Sequence, residues 1–212
     1  IRDRLAFGQN MVGFVRFHVK GNAGDHVVLR HAEVLDRDGN FYTANLKGAK
    51  QTIEYILKGG GEELYQPSFT FQGFRYVCID SYPGKIEPEN FTGCVVHSQM
   101  KQSGSFACSN ELVNQLQHNI LWGQKGNFVD VPTDCPQRDE RHGWTGDAQM
   151  FIAQRIQYLK IPGGFPQCAV FQAAPAPAAG TPYMPEPFYS SALESPPHTA
   201  VRPVRVPAES CR

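Results

Sequence analysis

The chain has no CxxC pair and no short cysteine or histidine spacing of the kind that grips zinc. Its six cysteines, Cys78, Cys94, Cys108, Cys135, Cys168 and Cys211, are scattered and read as buried or unbridged thiols. Net charge is also lacking, because twenty Lys and Arg balance twenty Asp and Glu. No overall field therefore draws the protein to nucleic acid or to an anionic membrane, and neither is expected as a partner. No apolar run approaches the roughly 20 residues needed to span a bilayer, so no membrane segment is expected. The first residues, IRDRLAFGQN, lack the pattern of a signal peptide and do not begin with Met. A fragment or processed product is expected from that end, and localisation stays open. The GGG of KGGGEE at 58–63 lacks the Gly-Lys-Ser/Thr ending of a phosphate loop and reads as a hairpin turn.

What the chain does have is 41% apolar and 11% aromatic residues over 212 positions, enough for a sizeable core. From Met11 to about Met100 the pattern is that of strands. MVGFVRFHVKG, DHVVLRHAEVLD, QTIEYILKG and FTFQGFRYVCIDSY are rich in Val, Ile, Phe and Tyr and are separated by GNAGD, DRDGN and KGGGEE. An antiparallel β-sandwich over residues 1–104 is predicted. His31 and Glu33 alternate on one strand and read as a surface pair, two residues being too few for a metal site.

The period changes after Cys108. Leu112, Val113, Leu116, Ile120 and Leu121 recur at helical spacing, with Ser109 as the predicted N-cap and Gly123 and Gly126 at the end. A second helix is predicted from about Thr145 to Leu159. Beyond Lys160 the composition shifts: eleven of sixteen prolines lie in 162–212, and Asp, Asn, Lys and Trp vanish. Such sequence cannot bury enough apolar surface to order itself, so 161–212 is expected to be a disordered or frameshifted tail, the second reading being favoured because it interrupts a helix.

The stretch VPTDCPQRDERHGWTGDAQ, 131–149, stands apart. With Asp130 it gathers Asp134, Asp139, Glu140 and Asp147 around Arg138, Arg141, His142 and Trp144. The spacing does not match a calcium loop, and the arginines intrude, so no metal and no cofactor is expected. An aromatic ring between glycines 143 and 146, beside carboxylates, suits a sugar: a flat face for the pyranose and acceptors for its hydroxyls. Glycoside hydrolysis needs one carboxylic acid to protonate the leaving oxygen and a second carboxylate to activate water or attack the anomeric carbon. A local run can supply the first of these. Cys135 lacks a histidine partner at a fixed spacing and reads as a packing thiol.

The run DCPQRDERHGWTGDAQ resembles the motif of the α-L-rhamnosidases of glycoside hydrolase family 78, where Leu is usual in place of His142. The likeness continues through FGQNMVGFVRF, LRHAEVLDRDGNFYTANLKGAK, FTFQGFRYV and NILWGQKGNFVDVPTD, covering about residues 5–152. The resemblance implies a β-sandwich followed by the first helices of an (α/α)6 barrel, here incomplete and occupying 105–160, and hydrolysis with inversion of terminal rhamnose from a glycoside or polysaccharide. Carried over by position, it implies Glu140 as general acid, with Asp134, Arg138, Trp144 and Asp147 holding the sugar. Asp134 and Asp147, as like charges, are further expected to raise the proton affinity of Glu140. In the family the water-activating Glu lies far downstream, so this chain is expected to be a fragment without its base and inactive alone. The competing expectations are a non-catalytic carbohydrate-binding module and a functionless gene fragment.

Overall fold

The computed structural model describes residues 3–102, 104–144 and 146–147, with the backbone at 159–160, 199–204 and 209–210. Two compact units emerge: one joins Ile1–His97 to Cys135–Arg141, and the other takes up the chain at Ser98.

The first unit is built on β1 (Asp3–Gly21), whose 19 residues run well upstream of the Met11 start expected from the pattern. The upstream half still alternates, with Leu5 and Phe7 buried, but Gly8, Gln9 and Asn10 break the period, where the pairing with β5 (Gln72–Ser81) slips between Ala6 and Met11. That irregularity hid the strand's first half, since period-2 reading depends on an unbroken register. Beyond it β1 pairs with β6 (Phe91–Ser98) through Gly13–Phe17 and with β4 (Gly61–Tyr65) through Phe17–Gly21. On the far side of β5 lie β2 (His26–Ala32) and β3 (Thr52–Ile56), all antiparallel. A single curled sheet of order β6-β1-β5-β2-β3 results, with β4 alongside β1. It is the β-rich domain expected, in the form of one sheet shared through its longest strand.

The core is aromatic. Phe17 is fully buried and meets Tyr55, Tyr65 and Phe91 at centroid distances of 6.2, 5.4 and 6.2 Å, while Phe7 stands edge-on to Phe74 at 5.5 Å. Each such ring contributes roughly 1.5–3 kcal/mol by burial alone.

Two expectations fail here for identifiable reasons. The KGGGEE segment does not close a hairpin, because β3 pairs with β2 and β4 pairs with β1. It is a crossing loop, and Glu63 stabilises it by accepting the amides of Lys58 and Gly59 and the Tyr55 hydroxyl at 2.6 Å. Nor is His31 on the surface: it is wholly buried, edge-on to Phe74 at 5.0 Å, its Nδ1 bonded to the Gln51 carbonyl at 2.9 Å. Glu33 lies beyond the end of β2 and accepts instead from Asn10.

In the second unit, α1 (Glu111–Gly126) passes through Gly123 to Gly126. Its N-cap is Asn110, one residue later than the Ser109 expected; the Asn110 side chain accepts from the amides of Leu112 at 3.0 Å and Val113 at 3.4 Å. Leu112 and Leu116 remain largely exposed. After α1 come the two-residue strands β8 (Phe128–Val129) and β9 (Val131–Pro132), turning at Asp130 with φ of 69°. The predicted second helix falls mostly outside the described residues. Gly146 and Asp147 are helical, but Leu159–Lys160 is a strand paired with β7 (Lys101–Gln102), so the helix does not extend to Leu159. The expectation for the tail also lies largely outside the described residues. Its described parts are the edge strands at Thr199–Val204, paired with β6, and Glu209–Ser210, paired with β1. Among the described residues no helix is long and apolar enough to cross a membrane.

Candidate active site

The segment Cys135–Arg141, centred on the charged run, belongs to the sheet unit. Its anchors come from the connection between β2 and β3 and from the entry to β5. The Gln51 carboxamide Nε2 donates to the Gln137 carbonyl at 2.6 Å and to the Gly73 carbonyl at 3.2 Å. The amide of Gly48 donates to Asp139 Oδ2 at 3.2 Å. At the far end, the Arg141 guanidinium lies 4.6 Å from the centre of the Phe71 ring, and burial lowers its pKa. Arg141 itself takes φ of 58°, which turns the chain sharply.

Within this segment Arg138 and Glu140 meet, Nη2 to Oε2, at 2.7 Å; Lys47 Nζ approaches the same carboxylate oxygen at 3.7 Å. Glu140 thus pairs with two cations, one from its own loop and one from the connection between β2 and β3. Glu140 keeps just over a quarter of its side chain exposed, at 28%, so the group is open to a solute.

Asp134 and Trp144 lie in the second unit. Asp134 and His142 are joined twice: the Asp134 amide donates to the His142 carbonyl at 3.0 Å, and the His142 amide donates to Asp134 Oδ1 at 2.8 Å. The His142 ring stands edge-on to Trp144 at 6.1 Å. Because His142 contributes main-chain atoms to both bonds, exchanging its side chain for Leu leaves the pair intact. Asp147 is exposed on a helical backbone. Cys135 is partly buried.

Sequence reasoning missed the anchors. Lys47, Gly48 and Gln51 lie in LKGAKQ, and Phe71 and Gly73 in FTFQGF, segments noticed only for strand pattern or family likeness. Three of the contacting groups, the Gly48 amide and the Gly73 and Gln137 carbonyls, are backbone atoms, which carry no chemical signature.

The sheet domain and the helical unit that follows it each match a family model from the glycoside hydrolases. Residues 4–97 match the family model of the bacterial α-L-rhamnosidase concanavalin-like domain, and 101–170 match that of the bacterial α-L-rhamnosidase six-hairpin glycosidase domain. An α-L-rhamnosidase of Streptomyces avermitilis is 54% identical over 147 residues, covering 69% of this chain and 14% of that protein. The crystal structure of a Streptomyces avermitilis α-L-rhamnosidase complexed with L-rhamnose aligns with a TM-score of 0.71 and 51% identity, over 74% of this chain and 15% of that one. The α-L-rhamnosidase structure from Dictyoglumus thermophilum aligns with a TM-score of 0.71 and 46% identity, covering 74% of this chain and 18% of its own. The chain belongs to the bacterial α-L-rhamnosidase family. It spans less than a fifth of the length of these relatives.

Proposed function

We propose that this chain carries the acid half of an inverting α-L-rhamnosidase site, with Glu140 protonating the glycosidic oxygen as terminal rhamnose departs. The observation that carries the reading is the placement of Glu140: partly exposed, beside Arg138, on a loop tied to the sheet by the Gln51 and Gly48 bonds. Arg138, with Asp134, Trp144 and Asp147 from the second unit, would hold the sugar hydroxyls and ring face, and the helical unit would be the start of an (α/α)6 barrel. An inverting reaction needs a second carboxylate to activate water on the opposite face of the ring, which we assign to a part of the enzyme outside these residues. By itself the 212-residue chain is then expected to give no turnover of an aryl α-L-rhamnoside.

The test joins this chain to the remainder of the catalytic domain and compares two substrates. Glu140→Gln should suppress hydrolysis of rhamnosides with poor leaving groups about 10²–10⁴-fold more than of activated aryl rhamnosides, since only the former need the departing oxygen protonated. Asp134→Asn and Trp144→Ala should weaken both, because they lose contacts to the sugar itself. Equal loss on both substrates in Glu140→Gln would move the acid role to Asp134 or Asp147.

A further inference from the structure

We propose that the sheet domain supplies a positioning clamp for the acid loop, formed by Lys47–Gln51 with Gln51 as its central residue; the functional meaning of the clamp rests on Glu140 being the acid. No residue of this segment is a candidate sugar contact or proton donor, yet three of its groups reach the loop across about ninety residues of sequence: the Gln51 carboxamide to the Gln137 carbonyl, the Gly48 amide to Asp139, and the Lys47 ammonium to Glu140.

The chemistry of the Gln51 contact is directional. Its Nε2 faces two carbonyl oxygens, those of Gln137 and Gly73, and only a donor can sit there, which fixes the orientation of the amide. The price is a buried Oε1 with no hydrogen-bond partner among the described residues, on a residue that is 5% exposed. A core position chosen for packing would not keep a glutamine on such terms. The same residue's carbonyl accepts from both the amide and the Nδ1 of buried His31, so the clamp is rooted in the β2–β5 core.

The backbone is strained at both ends of the segment. Lys47 adopts φ of 52° with ψ of −117°, a region that glycine occupies readily and other residues rarely, and Gln51 adopts φ of 47°. The strain is held by Leu46, buried at the end of the short helical turn Ala44–Leu46, and by the Ala49 amide on the Leu46 carbonyl at 3.0 Å. Two glycines let the loop approach: a Cβ at Gly73 would lie 2.6 Å from the Gln137 Cβ, and one at Gly48 would lie 3.0 Å from Asp139 Oδ2. Strain, an unsatisfied amide oxygen and two close approaches converge on one outcome, the placing of Gln137–Glu140. Gln51 is thus a positioning residue that acts through the loop.

Tryptic cleavage of the full chain tests this. The bond after Arg141 is shielded while that side chain lies on Phe71, and the bond after Lys85, whose side chain is 83% exposed, serves as reference. Gln51→Met keeps the length and removes the donor; Gly73→Ala leaves Gln51 untouched and pushes on Gln137. Each should raise cleavage after Arg141, relative to Lys85, by about tenfold, the factor expected for losing one such bond. Gln51→Glu, which keeps the shape but faces two carbonyls with a carboxylate, should loosen the loop at least as much as Gln51→Met. In the unaltered chain the Gln51 carboxamide protons should resonate away from those of exposed glutamines and exchange slowly; in Gly73→Ala they should revert. That spectrum decides the matter even where Gln51 variants fail to fold. Unchanged cleavage in both Gln51→Met and Gly73→Ala, wild-type protection in Gln51→Glu, or ordinary carboxamide signals in the unaltered chain would each overturn the proposal. Glu140→Gln should leave the Gln51 signals in place, so failure of the acid assignment and failure of the clamp read out separately.

Discussion

His31 gives the sheet domain a pH dependence that can be worked out in advance. Burial pushes its imidazole down to about 4 from an ordinary 6.5, only partly offset by the hydrogen bond to the Gln51 carbonyl. With Nδ1 on that carbonyl, the proton of the neutral ring is on Nδ1, and a second proton at Nε2 would be buried with no acceptor within reach. Below about 4 both folded and unfolded chains bind the extra proton, above 6.5 neither does, and between these values only the unfolded chain does. Stability is therefore complete above 6.5 and drains away as the pH falls towards 4. The whole interval amounts to about 3 kcal/mol, and about 1.4 kcal/mol of it is gone by about pH 5.5. Urea unfolding followed by far-ultraviolet circular dichroism should show this as a midpoint lower by about 0.7 M at about pH 5.5 than at about pH 7.5, for a slope near 2 kcal/mol per molar. Asp36 and Glu63 also have lowered pKa values, the first from hydrogen bonds to Asn40 and the second chiefly from that with Tyr55, but their contributions are lost at more acid pH, below the ordinary carboxylate values of 3.8 and 4.5. His31→Phe keeps a ring against Phe74 and cannot titrate. It should be less stable at neutral pH, having lost the Gln51 bond, yet its midpoint should be flat across the same range. A wild-type midpoint that does not move, or a His31→Phe midpoint that falls as steeply as the wild type, would refute the reasoning.

Other perturbations separate the two units. Phe17→Ala empties the aromatic cluster of the sheet and should cost about 3–5 kcal/mol in the same urea assay, whereas Leu116→Lys, at a site already 56% exposed, should stay within about 0.5 kcal/mol. Asn110→Ala removes the acceptor for two amides at the start of α1 and should lower helix stability by about 1 kcal/mol, while Ser109→Ala should have little effect. Comparable losses at Ser109 and Asn110 in thermal melts would show the cap to be wrongly placed.

Val27–Leu29, whose burial alternates, and Val77–Ile79, a short apolar run, were legible because β-rich composition and local pattern announce them. So was α1, whose apolar spacing survives even though Leu112 and Leu116 lie open. The first half of β1 was not, since its slipped register spoils the period, and the pairing of β3 and β4 was not, because strand partners are chosen by long-range packing that a glycine-rich connection does not encode. His31 illustrates a different limit. A histidine alternating with Glu33 looks solvent-facing, and only the Gln51 carbonyl, brought in from twenty residues away, makes its burial tolerable. For the site, the charged run showed which groups were chemically able; it could not show that the sheet holds the stretch Gln137–Arg141.

That division has a physical origin. On the proposed reading of Glu140 as the acid, transfer of a proton to a departing oxygen tolerates little misplacement, and the loop carrying it needs a support stiffer than its own charges. The ion pairs at Glu140 are poor supports, because Arg138 and Lys47 keep 31% and 57% of their side chains exposed, and solvent screens such pairs. Hydrogen bonds from a buried amide to main-chain carbonyls are better ones, since neither partner can swing away without leaving an unsatisfied group behind. Such bonds also free the side chains of the loop to change. His142, in a place the family usually fills with Leu, is tied to Asp134 by its own amide and carbonyl, so its side chain can vary without breaking those bonds. Main-chain anchoring thus suits the precision that the proposed chemistry would demand and explains the silence of the sequence about its source.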